Sequence, residues 1–233
     1  MIRRFLILAA QLLLLVASAG AQSSSPELPE VPTEQWEMSL ALSAAPEHLR
    51  AAAGVYVLTR SGFKQIRQSR NKFTCIVNRD HPKALKPTCF DEEGTATILP
   101  KILRVGELMM QGKSRSEIDE DIRAGFANGK FVSPRRPGIA YMLSGEIRNV
   151  NPATGAVSSF PPHVMFYAPN LTNEDIGSDG SIGLPFVAYQ GPHGYMIMPV
   201  QQASRPISGD HEHDANGHLH GGRAGHGDAR PSQ

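Results

Sequence analysis

The chain has 233 residues, with 23 Lys and Arg against 22 Asp and Glu, so its formal net charge is +1, and only 6% of its residues are aromatic. No basic stripe interleaves with aromatics, which excludes nucleic acid as a partner suggested by composition. Beyond the N-terminus no uninterrupted apolar run reaches the roughly 18 residues that a spanning helix needs.

Residues 1–21 have the layout of an export signal: Arg3 and Arg4, an apolar run over 5–16 interrupted by Gln11, then small residues ending Ala19-Gly20-Ala21. The expectation is cleavage after Ala21 and a soluble product, periplasmic or extracellular, with no membrane contact after cleavage; an uncleaved N-terminal anchor is the competing reading. Residues 22–33 are rich in Ser, Pro and Glu and read as a flexible leader. A single domain is expected over 34–205, with order beginning near Trp36, the only tryptophan. Ser43-Ala44-Ala45-Pro46-Glu47 reads as a helix start, with proline in the first turn and the helix running to Ala52.

Residues 55–77 hold three short β-rich runs separated by turn residues, at 55–59, 63–67 and 73–77, and predict an antiparallel meander. Two cysteines, Cys75 and Cys89, survive in a chain bound for an oxidising compartment, and such a pair is read as a disulfide. It would close a loop of about 15 residues and cost the unfolded state about 3 kcal/mol in the chain-entropy model. Two buried thiols, or one nucleophile, are the alternatives; neither cysteine lies in a Cys-x-x-Cys motif.

Residues 95–111 read as a helix from the spacing of Leu99, Ile102, Leu103, Gly106, Met109 and Met110, with Thr97 as cap and Gly112 as its end. A second helix opens on the capping box Ser114 and Glu117, carries the stripe Ile118, Ile122 and Phe126, and closes at Gly129. Its carboxylates, Glu117, Asp119, Glu120 and Asp121, are spread over an exposed first turn and read as a solvated face. Four further β-like runs follow at 139–143, 163–168, 184–189 and 195–200, the last two joined as a hairpin. Loops 148–162 and 170–183 are longer than ordinary connections and are candidates to wall a site. The fold class is therefore α+β: an antiparallel sheet that starts with the meander, a helix pair on one face, further strands and a hairpin, and disordered termini.

Ser43-Ala44-Ala45-Pro46, residues 73–77, Cys89-Phe90-Asp91, Tyr141-Met142-Leu143-Ser144 and residues 162–167 resemble an uncharacterised group of exported bacterial proteins labelled hypothetical. The resemblance spans about residues 43–200. It implies an exported bacterial protein and brings no activity with it.

Three constellations carry candidate chemistry. Five of the nine histidines, His211, His213, His218, His220 and His226, fall in the Gly-rich tail over 206–233. Neutral imidazoles at His-x-His spacing bind Cu, Ni or Zn, so metal sequestration or delivery by a disordered tail is one functional reading, with a divalent transition metal as cofactor. In the second, prolines 161 and 162 fix the approach to a strand that starts at His163, with Met165 and Tyr167 on the same face. A histidine there suits a general base in an uncatalogued hydrolase, although no Gly-x-Ser-x-Gly elbow or His-Glu-x-x-His helix accompanies it. The third is methionine: Met142, Met165, Met196 and Met198, with Met109 and Met110, whose thioethers suit Cu(I) but fill irregular cores more often. No catalytic constellation is assigned, and an enzyme is the less favoured class. The leading reading is an exported binding or interaction domain for a small ligand or a protein.

Overall fold

The computed structural model describes residues 27–151, 153–179 and 183–200. The export signal and the tail histidines His211, His213, His218, His220 and His226 lie outside the described residues.

Helix α1 (Glu34–Ser43) begins before the point at which sequence placed a helix. Thr33 caps it, its side chain accepting from the backbone N–H of Trp36, and Glu37, Leu40 and Ala41 are its buried residues. After Pro46 only one turn follows, α2 (Glu47–Arg50), so the helix expected through Ala52 is shorter. Strands β1 (Gly54–Thr59), β2 (Gly62–Arg67), β3 (Thr74–Asn78) and β4 (Lys86–Phe90) come next.

The first three strands are not a meander. β2 is antiparallel to β1, but β3 returns to the other side of β1 and runs parallel to it. β3 is apolar on both faces, with Thr74 to Val77 all buried, and therefore needs a strand on each side. β2 carries Lys64, Gln65 and Arg67, a composition suited to an edge. The crossing chain is held where it passes the start of β1: Arg70 donates its N–H to the Ala52 carbonyl and Gly54 donates to Phe73, each at 2.8 Å. Lys72 takes a left-handed φ of 68° at the turn.

β4 occupies part of what sequence reads as the disulfide loop. It pairs antiparallel with β3 in a register that sets Cys75 opposite Cys89, and these two form the disulfide. Pro87 sits within β4 although proline cannot donate to a ladder. Of β4, the next strand, β5 (Ile139–Met142), meets only Cys89 and Phe90, so Pro87 lies outside that ladder.

Between β4 and β5 come α3 (Glu92–Thr97), α4 (Leu99–Met110) and α5 (Arg115–Ala127). The single helix expected over 95–111 is thus two. Asp91 caps α3 by accepting from the Gly94 N–H, and Thr97 bonds back to Glu93 instead of capping. The Ser114 and Glu117 capping box is present, and Gly112 and Gly129 take left-handed φ at the two helix ends. Arg104 on α4 makes a bidentate pair with Asp121 on α5, at 2.9 and 2.7 Å.

The remaining strands are β6 (Arg148–Val150), β7 (Val157–Ser159), β8 (His163–Tyr167), β9 (Phe186–Tyr189) and β10 (Tyr195–Pro199). β6 and β7 form a separate hairpin, so the loop expected over 148–162 has structure of its own. The main sheet has eight strands in the order β2-β1-β3-β4-β5-β8-β10-β9, and β2 and β9 are its open edges. Apart from the β1 and β3 pair, every pairing in it is antiparallel.

Strand alternation divides the core in two. On one face Val55, Val57, Cys75, Val77 and Cys89 meet Leu40, Ala41, Ala44 and Ala45 from α1 and its end. On the other, Ile76, Phe90, Ala140, Met142, Met165 and Ile197 meet Ile98, Leu99 and Ile102. The helix pair lies on this second face, α4 against the sheet and α5 on α4. Gly106 is required where α4 approaches β2, because a methyl there would overlap the Phe63 ring. Among the described residues no helix is long and apolar enough to cross a membrane.

Candidate binding cavity

The second face is not filled along its whole length. Towards the β8, β10 and β9 end, α4 and β6 stand off the sheet and flank a half-open cavity of about 440 Å³. The inner wall is buried and apolar: Phe90 from β4, Ile102 from α4, Met142 from β5, Ile147, Met165 from β8 and Ile197 from β10. Asn149 and Val150 on β6, with Phe160, close one side; Phe186, Ala188 and Tyr189 of β9 and Tyr195 of β10 close another. The outer end is polar, with Asn78, Asp80, Lys86 and Lys101 half-buried or exposed.

The charges divide into paired and unpaired groups. Arg79, buried, donates from its two terminal guanidinium nitrogens to the two oxygens of Glu37 at 2.6 and 2.8 Å, and Nη1 also donates to the Val77 carbonyl at 2.9 Å. Lys86 meets Asp80 at 2.6 Å. Lys101 has no ion-pair partner among the described residues; its amine lies 5.3 Å from the centre of the Tyr189 ring. Burial brings the Lys101 amine down to about 8, with the Asp80 charge opposing the shift and those of Arg115 and Lys86 adding to it. Burial also raises the Tyr195 hydroxyl, and the neighbouring Tyr189 adds to that.

His163 is buried at the start of β8 and lines the cavity. Its Nδ1 lies 2.8 Å from the Pro161 carbonyl, which can only accept, so Nδ1 carries the proton and Nε2 is the free acceptor of the ring. Phe160 meets the imidazole edge to face at 4.8 Å. Burial lowers the His163 pKa, the Pro161 bond opposing the shift, and the ring is neutral near pH 7. Among the described residues no hydroxyl or thiol is hydrogen-bonded to His163.

Of the three residues that sequence groups here, His163 and Met165 line the cavity and Tyr167 does not. The Tyr167 hydroxyl lies 2.8 Å from both Asp91 Oδ1 and the Ile139 carbonyl, tying β8 to the cap of α3. Gly94 is needed beside it, since a side chain there would collide with that hydroxyl. The methionines divide by strand alternation: Met142 and Met165 face the cavity, whereas Met196 and Met198 flank Ile197 and point to the opposite face. They do not converge on one ion. Among the described residues no group of three or more His, Cys, Asp or Glu is arranged to hold a metal. Of the two long loops, 148–162 walls the cavity and the described part of 170–183 does not.

Sequence reasoning missed Lys101. A signal was present: Lys101, Val105 and Leu108 lie four and three residues apart, which aligns a cation with an apolar stripe. Comparison with family models, with curated proteins and with solved structures found no match for this chain.

Proposed function

We propose that this chain is an exported binding protein whose cavity takes one small, largely apolar molecule. The observation that carries the reading is the half-open cleft of about 440 Å³, which lies within the size range of ligand sites and has a buried apolar wall with a few polar groups at one end. A face built only for stability would be filled, because interiors pack to crystal-like density and each void forfeits contacts. The export half of the reading rests on the signal-like residues 1–21 and accords with the Cys75 and Cys89 disulfide. Mass spectrometry of protein recovered from the periplasm or medium is expected to find Gln22 as the first residue.

Titration with a neutral fluorescent naphthylamine tests the binding half. One saturable site is expected, together with its loss in Val105→Trp, where the indole occupies the space while the fold, read by circular dichroism, persists. If no saturable signal develops, or if Val105→Trp binds as the wild type does, the cavity is not a ligand site.

A further inference from the structure

The chemistry of the cavity rim goes further than an apolar ligand. The lining carries three cations, Arg79, Lys86 and Lys101, and one carboxylate, Asp80. Arg79 is saturated by Glu37 and Lys86 by Asp80. Lys101 is left over, held against the Tyr189 ring at the polar end of a space whose other end is hydrocarbon. A partly buried ammonium with no direct ion pair among the described residues, and only the more distant Asp80 charge in its favour, is costly, and an anion arriving at that point recovers part of the cost. His163 supplies a lone pair at Nε2 and no charge, so it does not compete for an anion. We infer that the ligand is an amphipathic monocarboxylate whose head group pairs with Lys101 while its chain lies against Ile102, Met142, Met165 and Ile197.

The choice of probe follows from the volume. At the roughly 30 Å³ that a water occupies in the liquid, a space of about 440 Å³ corresponds to about 15 non-hydrogen atoms, and because the cleft is half open this makes a medium-length chain the first probe without fixing the length. This inference rests on the cavity being a ligand site, and the experiment separates the two. Decanoate, decanol and decyltrimethylammonium are titrated calorimetrically into the full-length protein near pH 7. Decanoate is expected to bind about tenfold more tightly than decanol, the cation least of all. Lys101→Met is expected to erase the preference by weakening decanoate alone, and Lys101→Arg to retain most of it. Equal binding of decanol and decanoate, or an equal loss of both in Lys101→Met, overturns the carboxylate assignment and leaves the cavity reading standing. If none of the three binds, the cavity reading falls with it.

Proton uptake gives an independent readout. The charged and titratable groups near the Lys101 amine are Asp80, which favours its charge, Arg115 and Lys86, which oppose it, and His193, whose own pKa the Lys101 charge helps to lower, with the Tyr189 ring against the amine. With the free amine lowered to about 8, part of the population lacks that proton at pH 8, and a bound carboxylate restores it. Decanoate binding at pH 8, measured in two buffers of different ionisation enthalpy, is therefore expected to take up a fraction of a proton in the wild type and none in Lys101→Met. Uptake that is absent from the wild type, or unchanged in the variant, overturns the role given to Lys101.

Discussion

Replacing Glu37 with Leu tests the account of how α1 is fixed to the sheet. Glu37 is fully buried and Arg79 is 1% exposed, and their two short contacts form the buried bidentate pair that joins α1 to the end of β3. Glu37→Leu leaves a guanidinium in the interior with only the Val77 carbonyl to answer it. A guanidinium cannot shed its charge at any pH that a folded protein meets, and breaking one side of such a pair costs about 3–5 kcal/mol. Against a total of about 5–15 kcal/mol, that is a large fraction of what holds a domain of this size together. Arg79→Met is expected to cost less, because a buried carboxyl left alone can bind a proton and become neutral. The double variant, Leu and Met packing in place of the ions, is expected to lie within about 1–2 kcal/mol of the wild type, far from the sum of the single changes. Guanidinium unfolding of all four proteins, with the midpoint and the slope fitted together, measures the cycle. A Glu37→Leu variant within about 1 kcal/mol of the wild type, or additive losses in the double variant, would refute the assignment.

Acid stability should depend on His193 in the turn between β9 and β10. His193 is 1% exposed, its Nε2 meets the Val132 carbonyl at 2.8 Å, its Nδ1 has no partner, and burial lowers it from 6.5 to about 4. A depressed folded value means that its contribution is present above the unfolded value and is lost as pH falls from about 6.5 towards about 4, by at most about 3 kcal/mol. Urea titrations at pH 7 and pH 4 are expected to show that loss in the wild type and a smaller one in His193→Gln; equal acid losses would contradict it. Removing the disulfide through Cys75→Ala with Cys89→Ala, a cross-link spanning 14 residues, is expected to cost about 2–3 kcal/mol in the same assay. An unchanged midpoint would show that the β3 and β4 pairing already orders that loop in the unfolded chain.

Local features were legible where one or two residues decide them. The Ser114 and Glu117 box and the αL glycines 112 and 129 mark helix ends through backbone hydrogen bonds that sequence spacing states directly. Helix α1 was not legible as a helix; the sequence marked only the onset of order near Trp36. Its larger side chains, Trp36, Met38, Leu40 and Leu42, alternate as in a strand, and the contact with the sheet is made largely by Ala41, Ala44 and Ala45 beyond them. Such small residues give almost no periodic signal, although they permit the close approach. β4 was hidden by Pro87, which argues against a strand unless one knows that β5 ends its pairing at Cys89. The order of β1, β2 and β3 was not legible at all. A hairpin followed by a third strand of the same polarity fits either side of the first two, and the choice depends on Arg70 and Phe73 finding backbone partners at Ala52 and Gly54.

The site follows the same division. His163 announced itself because two prolines and a strand start fix its position locally, and its ring lies in the cavity wall. Lys101 did not, because its significance is a matter of accounting across the fold. Arg79 is neutralised by a glutamate 42 residues earlier and Lys86 by Asp80, so only after those partners are placed does one cation remain unanswered. The same holds for the cavity itself. Met142, Met165 and Ile197 are ordinary core residues by type, and what makes them a cavity wall is that Lys101 and Val105 of α4 line the space opposite them in place of larger apolar groups. A filled core at this position would need hydrocarbon where that lysine stands. The presence of an ammonium there, with no direct ion pair among the described residues, is the physical reason for proposing a ligand in this space and for expecting it to carry the opposite charge.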